Sequence, residues 1–135
     1  MELRTDRFVP ILRELRDLLL EYDDVEHATI IADLLDVAQL GRPEFVTRVQ
    51  SGEIWGAAAG TIVDLGGFHA DDYHSRTQAE NASRRLSLLL VQLADEMRVQ
   101  GIDTQRSTSE AAIMRESLAA NGVDVPPPPE SSPAS

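Results

Sequence analysis

Apolar residues recur along this chain at helical spacing, in segments separated by Gly, Pro and Asp. Phe8, Ile11, Leu12, Leu15, Leu18, Leu19 and Tyr22 fall three or four apart, with Arg13, Glu14, Arg16 and Asp17 on the other side. That stripe predicts an amphipathic helix over residues 7–22. Thr5 or Asp6 is placed to cap it, and Pro10 fits its first turn. Val25, Ala28, Ile31, Leu35 and Ala38, with Leu34 beside them, predict a second helix over 25–40 that stops at Gly41. The Asp23-Asp24 junction is short, so the two helices should form an antiparallel hairpin.

Pro43 opens a third helix with Phe45, Val46 and Val49 inward, broken at Ser51-Gly52. A helix is expected from Ile54 to Leu65. A long one starts between Ser75 and Gln78 and runs to Gln100, where Gly101 ends it. Ala79, Ala82, Leu86, Leu89, Leu90, Leu93 and Met97 trace its stripe, which makes it the spine of a bundle. Ser109 introduces a short helix over Glu110–Ala120, anchored by Ile113, Met114 and Leu118 and stopped by Asn121-Gly122.

The centre of the chain, Glu53 to His69, concentrates Gly56, Gly60, Gly66, Gly67 and the single Trp. On a helix, Gly56 and Gly60 share a face with Asp64, a smooth strip for close packing or for a ligand at bare backbone. Gly66-Gly67 ends a helix or opens a loop. The spacing matches neither a phosphate-binding loop nor a dinucleotide fingerprint. Trp55 reads as a core residue whose indole needs a partner, and alternatively as an anchor for a bound protein. Asp64 lies among Ile62, Val63 and Leu65, so a polar core position is expected, with Arg84 or Arg85 as its partner.

Composition narrows the picture. The chain has 135 residues, 42% of them hydrophobic, enough for one core. The expectation is an all-α, compact bundle of four or five helices. The bundle domain spans 1–102, a peripheral helix 103–122 and a disordered Pro/Ser-rich tail 123–135. Four consecutive prolines in that tail favour an extended polyproline run. The net charge of −11 disfavours nucleic acid and anionic membranes as partners and would steer a basic protein inward. Without cysteine there is no disulfide, thiolate chemistry or Cys-ligated zinc. No signal peptide or membrane span is recognised, so the expected location is cytoplasmic.

His69, Asp71, Asp72 and His74 are the densest chemical cluster. As a solvated loop, it would let Asp72 or Ser75 cap the long helix. As a metal site, a folded loop would have to gather those four ligands, with Asp64 and Glu53 able to join. As a base, His69 or His74 would work with Asp64, but no Ser or Cys nucleophile is placed in a recognisable turn. His27 reads as a surface or boundary residue. No catalytic residue, resident metal or cofactor is assigned.

The order Glu26-His27-Ala28, Leu34-Leu35, Ile54-Trp55-Gly56-Ala57-Ala58-Ala59-Gly60-Thr61 and Asp64-Leu65 resembles small bacterial helical domains with an aromatic-Gly-Gly-x-Gly-Ser…Asp centre. The resemblance covers residues 12–66 and departs from the pattern at Ala57 and Thr61. It implies an immunity or accessory role in interbacterial competition. The leading expectation is therefore an acidic protein-binding module, an immunity-type inhibitor of a basic toxin. Its candidate contact residues are Asp33, Asp36, Trp55, Asp71 and Asp72. One rival is a structural homodimer using surplus apolar residues between Leu86 and Leu93. The other is a metal-dependent enzyme using the His69–His74 loop.

Overall fold

The computed structural model describes residues 3–56, 61–65 and 67–130. The chain folds as an all-helical bundle, with no strand among the described residues. Four long helices are α1 (Val9–Glu21), α2 (Val25–Gln39), α5 (Arg76–Val99) and α6 (Gln105–Ala120). Two short ones, α3 (Glu44–Val49) and α4 (Gly52–Trp55), lie between α2 and α5. No helix among the described residues is long and apolar enough to cross a membrane.

The predicted stripes build the core. Leu12, Leu15 and Leu19 of α1, Ile31, Leu34 and Leu35 of α2, and Leu86, Leu89, Leu90, Leu93 and Met97 of α5 are buried together. Phe8, in a 3-10 turn ahead of α1, packs against Phe45 with ring centroids 4.7 Å apart. The Thr5 hydroxyl donates to the Ala38 carbonyl at 2.9 Å, fixing the open end of the α1–α2 hairpin. Ion pairs Arg7–Glu96 and Glu14–Arg85 place α5 antiparallel to α1. α6 folds back along α5, where Arg115 pairs with Asp95 at 2.7 Å.

The helix expected over 54–65 is interrupted. α4 ends at Trp55, and Gly56 is extended at φ −67°, ψ 156°. The Ile62 amide donates to the Glu53 carbonyl at 3.1 Å, and the Thr61 hydroxyl to the Gly56 carbonyl at 2.8 Å. A continuous helix would hold residues 53 and 62 about 13 Å apart along its axis, so the chain must loop back instead. A 3-10 turn, Val63–Leu65, follows. Gly60, and with it the expected smooth strip, lies outside the described residues.

α6 begins earlier than expected. Thr104 and Ser107 form a reciprocal capping box at 2.9 and 3.0 Å, which starts the helix at Gln105. Of the expected anchors Leu118 is buried and Met114 packs partly against the core, whereas Ile113 is 61% exposed and Ala111 is buried in its place. Because α6 covers a second side of α5, Leu86, Leu89, Leu90, Val91 and Leu93 are all buried within the single chain. The apolar surplus expected to form a dimer face is thus used internally, with Leu88 half-buried. Residues 123–130 have no regular secondary structure and touch α5 and α6 through Arg98 and Arg115.

α1 ends in a Schellman motif: Asp24 N–H bonds Leu19 O at 2.9 Å and Asp23 N–H bonds Leu20 O at 3.1 Å. The left-handed residue is Asp23, at φ 58°, whereas α2 uses Gly41, α5 Gly101 and α6 Gly122 at that position. A side chain there costs energy that glycine avoids. Asp23→Gly is therefore expected to stabilise the fold by about 0.5–1 kcal/mol. Urea unfolding should show a higher midpoint at unchanged slope; an unchanged or lower midpoint would contradict the strain assigned to this residue.

Candidate functional site

The α1–α2 turn organises one end of the bundle. Asp24 caps α2 by accepting the His27 amide at 3.2 Å, and its other oxygen lies 2.6 Å from His27 Nδ1. His27 is therefore buried beneath the turn, not a surface residue. Tyr22, the last residue of the α1 stripe, stacks on Phe68 (centroids 4.4 Å, 18° between planes) and on His74 (4.2 Å, 27°). Two near-parallel rings at such distances cannot share one face, so Tyr22 is held between them.

Each flanking ring has its own support. The Ser83 hydroxyl of α5 accepts the Phe68 amide at 2.7 Å. Gly67 has φ 133°, and a Cβ there would lie 2.6 Å from that hydroxyl, so the close approach requires glycine. Asp71 Oδ1 accepts the amides of Tyr73 (2.8 Å) and His74 (2.7 Å) and lies 3.0 Å from His74 Nδ1. Ser75 and Gln78 then form the capping box that launches α5. The 68–74 segment is thereby strapped to the end of α1.

That strap concentrates charge. From residue 17 to residue 41 the chain carries Asp17, Glu21, Asp23, Asp24, Glu26, Asp33 and Asp36, with no Arg or Lys. The ring stack brings Asp71 and Asp72 to the Glu21–Glu26 end of that run. Burial raises the Tyr22 hydroxyl above its ordinary value, and the nearby carboxylates of Glu21 and Asp71 add to the effect. Leu20 and Val25, on either side of the turn, are 46% and 62% exposed, and Tyr73 in the strapped segment is 85% exposed.

The sequence candidates divide. Asp71 and Asp72 belong to this end. Asp33 and Asp36 are exposed on α2, about 12 Å or more beyond its first residue. Asp33 instead lines a groove of about 440 Å³ with Arg48, Glu53 and Ile54. Trp55 offers no contact surface: it is fully buried, and its indole donates to the Val49 carbonyl at 2.9 Å, satisfying the end of α3. Asp64 is not a polar core residue. It is exposed in its 3-10 turn, while Arg84 turns to Asn81 and Arg85 to Glu14.

His69 and Asp72 are exposed, and His74 is engaged by Asp71 and Tyr22. Among the described residues no three His, Asp or Glu side chains converge into a metal-ligand set. Tyr22, Leu20, Val25 and Tyr73 were not legible as site residues. Tyr22 continues a core stripe, and the other three acquire their meaning only from shared exposure.

Asp71 carries a testable pH dependence. The Tyr73 amide first, and His74 second, hold its carboxyl below the ordinary value of 3.8. A lowered folded value means that its stabilisation is full above the ordinary range and is lost as pH falls through the lower one. The ring-current shifts that the His74 ring imposes on Tyr22 in NMR spectra are expected to persist down to pH 3.8 and to collapse below it. Asp71→Ala should remove them at neutral pH; their survival in that variant would show that Asp71 does not hold the strap.

A scan against protein-family models finds no match to this chain, and searches of curated proteins and of solved structures find none either.

Proposed function

We propose that the α1–α2 end of the bundle is a protein-binding surface for a basic partner. The observation that carries this is the exposure of Leu20, Val25 and Tyr73 among Glu21, Asp23, Glu26, Asp71 and Asp72. Apolar and aromatic side chains at the centre of a contact supply most of its free energy when they are desolvated. Carboxylates around them supply steering and select the sign of the partner. The surface is also pre-organised, since the turn is capped at both helices and the loop is clamped by the ring stack, which lowers the ordering cost of association.

The finer form of the proposal is an immunity-type inhibitor acting in the cytoplasm. It is supported by the resemblance to helical domains of interbacterial competition and by the acidic charge suited to a basic toxin's active site.

A photo-reactive residue at exposed Ala70 should capture the partner from the native source. The expected product is one basic protein. Glu21→Gln, Asp23→Asn, Glu26→Gln and Asp72→Asn together should slow its association about tenfold or more at low salt. Tyr73→Ala should mainly speed dissociation. An association rate unchanged in the fourfold variant would overturn the assignment of this surface.

A further inference from the structure

Arg98 of α5 and Arg115 of α6 are used in the same way. Arg115 gives its two terminal nitrogens to Asp95 at 3.2 and 2.7 Å, which leaves Nε free to donate to the Pro126 carbonyl at 2.8 Å. Arg98 has a terminal nitrogen 3.8 Å from Asp103, and its Nε donates to the Pro129 carbonyl at 2.7 Å. Asp103 is itself met by the Thr108 hydroxyl at 3.3 Å. Two guanidinium groups, each with an acid beside it, thus present side-on N–H donors to carbonyls three residues apart.

Three residues is one turn of a polyproline helix, about 9 Å long. Pro126, Pro127 and Pro128 each precede a proline, which confines them to that extended conformation. In a polyproline helix carbonyls one turn apart point the same way, so donors that take the Pro126 and Pro129 carbonyls match the period of such a ligand. Prolines have no N–H, so their carbonyls have no ladder partner within the run and stand open to such donors.

The occupant fills the surface incompletely. Pro126, Pro127 and Pro128 are exposed, and Pro129 is half-buried. A groove of about 580 Å³ remains beside Pro128, walled by Ala94, Ala111, Ala112 and Ala119. A second depression of about 560 Å³ lies on the other side of the run, bordered by Ile11 and Val99 of α1 and α5. A segment with bulkier apolar side chains flanking its prolines would use space that the tail leaves empty.

We propose that the α5–α6 face is a binding site for extended proline-rich peptides, with residues 126–129 as its resident ligand. The tether gives the tail a high effective concentration, so the site is closed to weak competitors and opens to a better-fitting proline-rich segment.

The test uses the full-length chain with Pro126→Gly, Pro127→Ser, Pro128→Gly and Pro129→Ser, which vacates the site. The probe is a fluorescein-labelled Val-Asp-Val-Pro-Pro-Pro-Pro-Glu peptide, followed by anisotropy. Saturable binding is expected, about tenfold weaker to the natural chain, where the tail competes. Adding Arg98→Lys or Arg115→Lys to the vacated chain should weaken binding about tenfold, since an ammonium has no side-on N–H in a fixed fork. These changes keep charge, and circular dichroism should show unchanged helicity. Absence of saturable binding to the vacated chain would overturn the proposal. So would equal binding of an alanine-for-proline probe, which needs no protein variant, or full affinity in both lysine variants.

Discussion

The chain reverses between α1 and α2 through Tyr22, Asp23 and Asp24, and the acidic end takes its geometry from that reversal. One residue closes α1 in the left-handed conformation, and the next caps α2 with its side chain. The economy has an electrostatic cost. Asp24 and Glu26 sit where the N-terminus of α2 welcomes negative charge, but Glu21 and Asp23 sit at the C-terminus of α1, where a cation would be favoured. Four carboxylates at one turn also repel each other. A fold selected for stability alone would place glycine at Asp23 and a basic residue at Glu21; departures of this kind are expected where a surface has work other than folding.

Tyr22 extends the same constraint to a distant part of the chain. Between Phe68 and His74 it joins the α1 terminus to the segment ahead of α5, so the hairpin and the spine helix are registered by aromatic stacking at one end. Arg7–Glu96 and Glu14–Arg85 continue that register along the pair of helices. Exposed ion pairs of this sort add little to stability; their value is in recording which residues face each other. The packed core, not these pairs, holds the bundle together.

Much of this architecture could be read from the sequence, because the signals were local. Apolar period gave α1, α2 and α5, and Gly41, Gly101 and Gly122 marked three of the helix ends. The stop at Asp23 was visible only as a junction, since an aspartate in a left-handed conformation leaves no compositional trace. The break in the 54–65 region comes from the return of Thr61 and Ile62 to the end of α4, a contact that periodicity does not encode. Asp64 has apolar neighbours in the chain, but its 3-10 turn exposes it, so the neighbours' character does not carry over to it. The surplus of leucine on α5 was real, but spacing cannot say whether α6 or another copy covers it. Asp71 and Asp72 are visible in the sequence as a cluster, but the ring stack that brings the segment holding them to the end of α1 is a tertiary contact that local spacing does not encode.

The proline run along α5 has a consequence for how the molecule meets other chains. An extended segment on a protein surface is ordinarily a template for strand addition, since its alternate amides and carbonyls stand ready to pair. Pro126 to Pro129 offer carbonyls alone, and those of Pro126 and Pro129 are already taken by guanidinium groups. An incoming β-edge therefore finds no donors there. The Pro126–Pro129 run is extended enough to lie across the bundle, yet without a single amide N–H to give to a sheet.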